Sequence, residues 1–336
     1  MRFLLDTEQR AFADSLDARL KAADTPSVVR EWSRGAHGRG RALWRELAEA
    51  GVFALAVPEE YGGFGPRPVE VAVAFVELGR HAVPGPLVET VASAVLLTRL
   101  GAPGPAGRLL PALASGGTAA TLAPAGGGPL LDADTADVRL VVSGHDARNP
   151  APGLRLAPAP TAPPRPSLDP ARRLFGVPPG GEILASGPEV TSAAADALVW
   201  ARLATAAQAL GTGLALLDRT VAYVVRRTQF GVPVGSFQAV KHRLADAKIA
   251  LEFARPLLFG AALTLDPADA AAAKVTACEA AYRTARTALQ LHGAIGYTAE
   301  YDLSLWLTKA RALLTAWGTP AQCRARVLAA SGAGGD

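Results

Sequence analysis

Arg227 and Phe230 stand three positions apart, where a long helical pattern gives way to Gly231-Val232-Pro233. A guanidinium is a planar fork of donors that suits phosphate oxygens, and Phe230 offers a ring close by. Further on, Gln290 precedes a tight Gly293-Ala294 turn, whose small residues let side-chain and backbone donors approach a ligand closely. Each residue also has an ordinary reading. An arginine at a helix end favours the helix dipole, Phe230 can be core, Gly293 can simply stop a helix, and Gln290 can be a surface residue. His292, in the same turn, reads as a structural hydrogen-bonder rather than a catalyst. Cys278 and Cys323 lie far apart and offer neither a disulfide framework nor metal-ligand spacing, so no metal site is expected.

These residues sit in a chain of 336 residues, half of them hydrophobic, long enough for layered structure around a large core. No apolar stretch is long enough to span a bilayer. The opening MRFLLDTEQR carries acids straight after a short apolar run and does not read as a signal peptide, so the cytoplasm is the default. The net charge of +4 and pI near 9.3 raise the question of nucleic acid. However, the arginines are scattered among acids and no base-reading motif appears, which argues against it. Such a surface equally suits a polyphosphate ligand such as a coenzyme A ester or a dinucleotide.

Three zones must position the candidates. Residues 1–115 alternate helical segments with Gly/Pro breaks: Thr7–Ala22, 41–50 stopping at Gly51, Pro68–Arg80, and 87–100 stopping at Gly101. Residues 116–190 are dense in Gly and Pro, with short runs at 138–142 and 182–184 that read as strands of a small β region; a disordered linker is the alternative. Residues 191–336 are helical again. A long helix to Arg227 carries Leu198, Leu210, Leu214, Leu217, Val221 and Val225 roughly on one face. A second from Ser236 carries Phe237, Val240, Leu244, Ala247, Leu251 and Leu258, with Pro256 as a kink. Asp266-Pro267 opens a third that ends at Gly293, a fourth covers 300–316, and Thr319-Pro320 opens a fifth. This order predicts an α+β architecture: an N-terminal helical domain, a reduced middle β domain and a C-terminal bundle of long helices. No GxGxxG follows a strand, which argues against a Rossmann fold.

The stretch RRTQFGVPVGSFQAVKHRLAD at 226–246 resembles the acyl-CoA dehydrogenase signature between the first two C-terminal helices. QLHGAIGYT at 290–298 is similar to that family's Q-x-x-G-G-x-G-Y turn, with Ala294 for the second glycine. AVPEEYGG at 56–63 and ELGR at 77–80 also match. The resemblance is strong at both ends of the chain and weak in the middle. It implies that Arg227 meets the FAD pyrophosphate, that Phe230 meets the adenine, and that Gln290, Gly293 and Ala294 approach the same dinucleotide in a neighbouring subunit. Thr319 is a further candidate flavin contact, or the cap of the last helix.

The family removes an α-proton with a carboxylate while a hydride passes to flavin. In LTAWGTPAQ at 314–322, Trp317 stands at the usual base position, and an indole N–H only donates. In LVWAR at 198–202, Ala201 stands at the alternative one. LAPAGGG at 122–128 lacks the hydroxyl and acid that relatives place against the flavin ring. The resemblance therefore implies a FAD-binding, base-lacking subunit of a heteromeric acyl-CoA dehydrogenase. It would pair, as α2β2, with a homologous catalytic subunit, act on an acyl-CoA such as a sterol side-chain ester, and pass electrons to an electron-transfer flavoprotein. The alternatives are a complete homo-oligomeric enzyme with a displaced base such as Asp196 or Glu300, and a flavin-free structural subunit.

Overall fold

A computed structural model describes residues 4–124, 126–144 and 151–332. Residues 1–3 of the opening stretch and Ala125 of the 122–128 stretch lie outside the described residues.

The N-terminal zone folds as six helices: α1 Thr7–Ala22, α2 Thr25–Ser33, α3 Gly38–Glu49, α4 Pro68–Arg80, α5 Leu87–Arg99 and α6 Pro103–Ala114. α1 opens on a capping box in which Gln9 N donates to Asp6 Oδ1 at 2.8 Å and Asp6 N donates to Gln9 Oε1 at 3.2 Å. The sequence pattern missed α2 and α6. α2 follows α1 after only Ala23 and Asp24, and α6 begins with prolines that read as breakers. A helix tolerates proline in its first turn, where the missing N–H has no partner in any case.

The Gly/Pro-rich zone folds rather than staying a linker. Strands β1 Ala120–Ala123, β3 Val138–Ser143, β4 Gly153–Leu156 and β6 Glu182–Ser186 form a sheet in the order β1-β3-β4-β6, while β2 Leu130–Leu131 pairs with β5 Leu174–Phe175. Among the described strands, β1 and β3 run parallel and the other pairings are antiparallel. Leu130, Val141 and Phe175 share a buried cluster that gives the short strands their core.

Five long or medium helices follow: α7 Pro188–Arg226, α8 Gln238–Thr264, α9 Pro267–His292, α10 Leu303–Leu313 and α11 Pro320–Gly332. α8 continues through Pro256. The expected stripe on α7 needs correction. Leu210 and Leu217 are buried, but Leu198 and Leu214 are half-buried and Val221 and Val225 are exposed. The central turns of α7 are buried nearly all round by Ala, Thr and Gly, so there is no single apolar face to extend. On α8, Ala247, Leu251 and Leu258 are buried as expected, Val240 and Leu244 half-buried, and Phe237 exposed.

The contacts divide the chain into two compact units, each drawing on separate stretches of sequence. The first comprises residues 1–26, 72–83 and 202–336. Within it, Gly79 and Gly211 let α4 and α7 touch backbone to backbone: a Cβ on Gly79 would lie 2.0 Å from Gln208 O, and one on Gly211 1.9 Å from Val76 O. Trp306 Nε1 donates to Arg80 O at 2.8 Å, and Arg219 lies over the Trp306 ring at 3.8 Å. The second unit comprises residues 27–71 and 84–201. There Thr90 Oγ1 meets both Ala120 O and Ala120 N at 3.0 Å, tying α5 to β1. Trp32 Nε1 donates at 3.2 Å to the fully buried Asp132, whose carboxyl is pushed up to about 7, chiefly by burial. Among the described residues, no helix is long and apolar enough to cross a membrane.

Candidate functional site

Five of the predicted contact residues lie around the ends of α7 and α9 in the first unit. α7 stops at Arg226, and Thr228–Gln229 pairs with Val232–Pro233 as a hairpin (β7 and β8). Its two-residue tip is Phe230, φ 53°, and Gly231, φ 78°, the double left-handed turn that suits the twist of paired strands. The tip holds Phe230 out at 93% exposure, with Phe237 edge-on at 6.3 Å, so the core reading of Phe230 is overturned. Arg227 is exposed at the base of this hairpin, where its carbonyl accepts from Val234 N at 2.8 Å. Gln290 is exposed on the last turn of α9. Gly293 ends that helix at φ 66°, ψ −141°, with no atom within 4 Å of where a Cβ would stand. Ala294 is exposed in the following 3-10 turn, Gly293–Tyr297.

Tyr223 and His292 brace the two helix ends. Their rings stack at 4.2 Å, and Tyr223 Oη donates to His292 O at 3.4 Å. His292 Nδ1 lies 2.8 Å from Ala288 O, which is the structural role expected of it, and burial lowers its pKa. Thr319 is engaged differently. It caps α11: Thr319 N and Oγ1 both reach Gln322 Oε1, at 2.8 and 3.0 Å, and Gln322 N donates to Thr319 Oγ1 at 3.3 Å.

Trp317 sits in a left-handed turn, φ 55°, followed by Gly318 at φ 125°. The side chains gripping this turn are cations and a thiol. Arg202 Nε donates to Trp317 O at 3.3 Å, and the fully buried Lys274 donates to Leu314 O at 2.8 Å and to Gly318 O. Cys278 donates to Leu313 O at 3.4 Å, and burial pushes its thiol up to about 12, so it stays protonated. Burial also lowers the pKa of Arg202. Ala201 is fully buried in α7. Of the displaced-base candidates, Asp196 pairs with Arg99 at 3.4 Å in the second unit, and Glu300 is exposed. Sequence reading missed the grip of Lys274 and Arg202. The available signal was a lysine alone among the small buried residues Ala270, Ala271, Ala273 and Ala277.

In the second unit, β1 leads into Pro124 and the left-handed Gly126 and Gly127, whose Cβ positions are open. The Thr121 hydroxyl of β1 is buried inside the strand and has no hydrogen-bond partner among the described residues. The donor set therefore fits a dinucleotide unevenly. An exposed guanidinium, ring and amide beside an open glycine suit its phosphate-and-base end, whereas this loop offers a flavin ring no polar side chain.

A separate cleft in the first unit holds Asp17, Glu77 and His81, with ligand atoms within 4.8 Å of one another. Its charges are already met: His81 Nε2 lies 2.8 Å from Asp17 Oδ1, Lys21 Nζ lies 2.5 Å from Asp17 Oδ2, and Arg80 Nε lies 3.7 Å from Glu77. Burial raises Glu77 to about 7.

Comparison with known proteins extends these observations. The family described as "Acyl-CoA dehydrogenase, N-terminal domain" matches residues 6–117, and "Acyl-CoA dehydrogenase, C-terminal domain" matches residues 191–331. The acyl-CoA dehydrogenase IpdE2 of Mycolicibacterium smegmatis is 32% identical over 319 residues, 94% of this chain and 96% of that protein. Among solved structures, the Tcur3481-Tcur3483 steroid ACAD G363A variant superposes with a TM-score of 0.84 at 27% identity, covering 97% of this chain and 99% of the other. The ChsE4-ChsE5 complex from Mycobacterium tuberculosis gives 0.82 at 26% identity, covering 98% of both.

Proposed function

The chain belongs to the acyl-CoA dehydrogenase family, and from that premise we propose that it is the base-lacking, FAD-holding subunit of a heteromeric acyl-CoA dehydrogenase. The observation that carries this reading is the Trp317 turn. Where α-proton removal calls for a carboxylate, the chain presents an indole whose own carbonyl is bonded to Arg202, with Lys274 on the carbonyls either side. A cationic surround stabilises negative charge but takes up no proton.

Binding is the work left to this chain. Arg227 is disposed to take phosphate oxygens, Phe230 a base, and Gln290 with the backbone at Gly293 the remaining polar edges. FAD would supply the two-electron acceptor. A homologous partner, in an α2β2 assembly, would supply the carboxylate and the pocket for the flavin ring. Similarity to a steroid ACAD and to a two-component complex favours this division and a sterol side-chain CoA ester as substrate. An electron-transfer flavoprotein is the proposed electron acceptor. A displaced base is less well supported. Asp196 is half-exposed and engaged with Arg99 rather than desolvated, and Glu300 faces solvent.

The test is flavin content and size of the chain alone and of the chain co-expressed with a homologous dehydrogenase subunit. A colourless or insoluble chain and a yellow pair with fewer FADs than subunits are expected, with FAD lost from the pair on Arg227→Ala. A lone chain that binds one FAD per subunit and oxidises an acyl-CoA would sink the reading.

A further inference from the structure

Asp17 from α1, Glu77 from the last turn of α4 and His81 just beyond it bring two carboxylates and an imidazole into one cleft of about 510 Å³. All three belong to the first unit. His81 N donates to Glu77 O at 3.1 Å, so the helical path runs on through His81. Residues four apart on such a path are neighbours on one face, which aims the Glu77 and His81 side chains the same way. The ligand atoms of the three residues lie within 4.8 Å of one another. An ion with bonds of about 2 Å holds tetrahedral ligands roughly 3.3 Å apart. The 2.8 Å contact between His81 Nε2 and Asp17 Oδ1 would therefore open by only about 0.5 Å to admit one.

Lys21 and Arg80 meet the charge of the two carboxylates, but neither closes the set. Lys21 Nζ sits 2.5 Å from Asp17 Oδ2 on a side chain that is 69% exposed, so the ammonium can swing into water at little cost. Arg80 commits Nη2 to Asp218 at 2.9 Å and only approaches Glu77 with Nε, at 3.7 Å. Among the described residues no hydrogen bond reaches the Glu77 carboxyl, although its side chain is only 14% exposed. Burial holds that carboxyl at about 7, as befits an acid short of nearby positive charge. Across the cleft, the carboxylates of Asp14, Asp17, Glu77 and Asp218 outnumber the cations Lys21, Arg80 and Arg219. We propose that Asp17, Glu77 and His81 bind a divalent transition-metal ion of the zinc class, with Lys21 standing where the ion enters. An imidazole beside carboxylates suits zinc and its neighbours, whereas magnesium and calcium take oxygen ligands. Burial lowers the His81 pKa, which keeps the ring in its neutral, ligating form near neutral pH. Three protein ligands leave a further position open to water from the cleft. The cysteines give no reason to expect a metal, and these ligands meet only in the fold, because Asp17 precedes Glu77 by 60 residues. The inference is independent of the flavin-holding reading.

The test uses the full chain in the assembly it forms on co-expression with its partner, stripped with a chelator and titrated with Zn²⁺ by calorimetry. Bound Co²⁺, followed by its visible absorption, reports the coordination. The parent is compared with His81→Gln, Asp17→Asn, Lys21→Met and, as a control in the same cleft, Asp218→Asn. One Zn²⁺ per copy of this chain is expected in the parent, with a melting temperature that rises as Zn²⁺ is added. His81→Gln and Asp17→Asn should each weaken that binding at least about tenfold. His81→Gln keeps a donor for Asp17, and an unchanged melting temperature in chelator separates ligand loss from misfolding. Lys21→Met should tighten binding, because the competing ammonium is gone, and Asp218→Asn should leave it as in the parent. Zn²⁺ binding that is the same in the parent and in His81→Gln would overturn the proposal. So would Mg²⁺ bound at this site as tightly as Zn²⁺, or a Lys21→Met variant that binds Zn²⁺ more weakly.

Discussion

Tyr223 and His292 stack at 4.2 Å with 23° between their planes, joining the last turn of α7 to the end of α9. Arg227 lies four residues beyond one partner, and Gln290 lies two residues before the other and Gly293 directly after it. The stacked pair therefore sets the spacing of the proposed nucleotide contacts.

Replacing Tyr223 by Ala removes this brace. An aromatic pair adds about 0.5–1.5 kcal/mol beyond its buried area, so the melting temperature should fall by a few degrees and FAD should leave the assembly more readily. Tyr223→Phe keeps the ring and loses only the long bond to His292 O, so it should behave almost as the parent. Equal flavin loss in both variants would refute a role for the stack.

Lys274→Met should be costly even though it removes a buried charge. Its acceptors are the neutral carbonyls of Leu314 and Gly318, so no counter-ion is left behind, but two carbonyls lose their donor. A destabilisation of about 2–4 kcal/mol is expected, read as a lower urea midpoint together with a shift in Trp317 fluorescence. An unchanged midpoint would mean that the turn does not depend on this lysine.

Trp317→Glu places a carboxylate at the proposed base position, yet it should not create a second active site. Arg202 and Lys274 bond the carbonyls of residues 314, 317 and 318, and neighbouring cations lower a carboxylate's pKa below the range useful to a base. Activity per flavin should be unchanged. A rise of the roughly 10²-fold or more that a positioned general base contributes would show that only the missing acid disables this position.

Asp132 makes stability depend on pH. In the folded chain its carboxyl keeps a proton up to about pH 7, against 3.8 ordinarily, mainly because it is fully buried. Between those values the unfolded chain binds fewer protons than the folded one, so stability falls as pH rises through the window. The loss by pH 8 is on the order of 4 kcal/mol. Asp132→Asn retains an oxygen for Trp32 Nε1 and should raise stability at pH 8 with little effect at pH 4. Glu77, also raised to about 7, would leave a residual slope of the same sign. Thermal melts of both proteins from pH 4 to 8 check this, and parallel curves would refute it.

Local signals were legible wherever a few neighbouring residues decide the conformation. Pro68–Arg80 and the capped α9 start fall where the pattern put them, because apolar spacing and an Asp-Pro cap act within a turn or two. The strands beyond 138–142 and 182–184 were not legible, since β1 and β4 are held by partners far along the chain. Likewise Val221 and Val225 share the helical period of the buried positions, yet both are exposed, because burial depends on what packs against the helix from elsewhere. The chain's amino acids determined by themselves that Trp317 and Ala201 carry no carboxylate, and the family resemblance in the sequence implied nucleotide contacts for Arg227, Phe230 and Gln290. Tertiary structure alone decided that Phe230 stands in the open, that Lys274 and Arg202 grip the Trp317 turn, and that Asp17 meets Glu77 and His81 in one cleft. Residue types fix what a side chain can do, but its partners come from segments tens of residues away, and only packing brings those together.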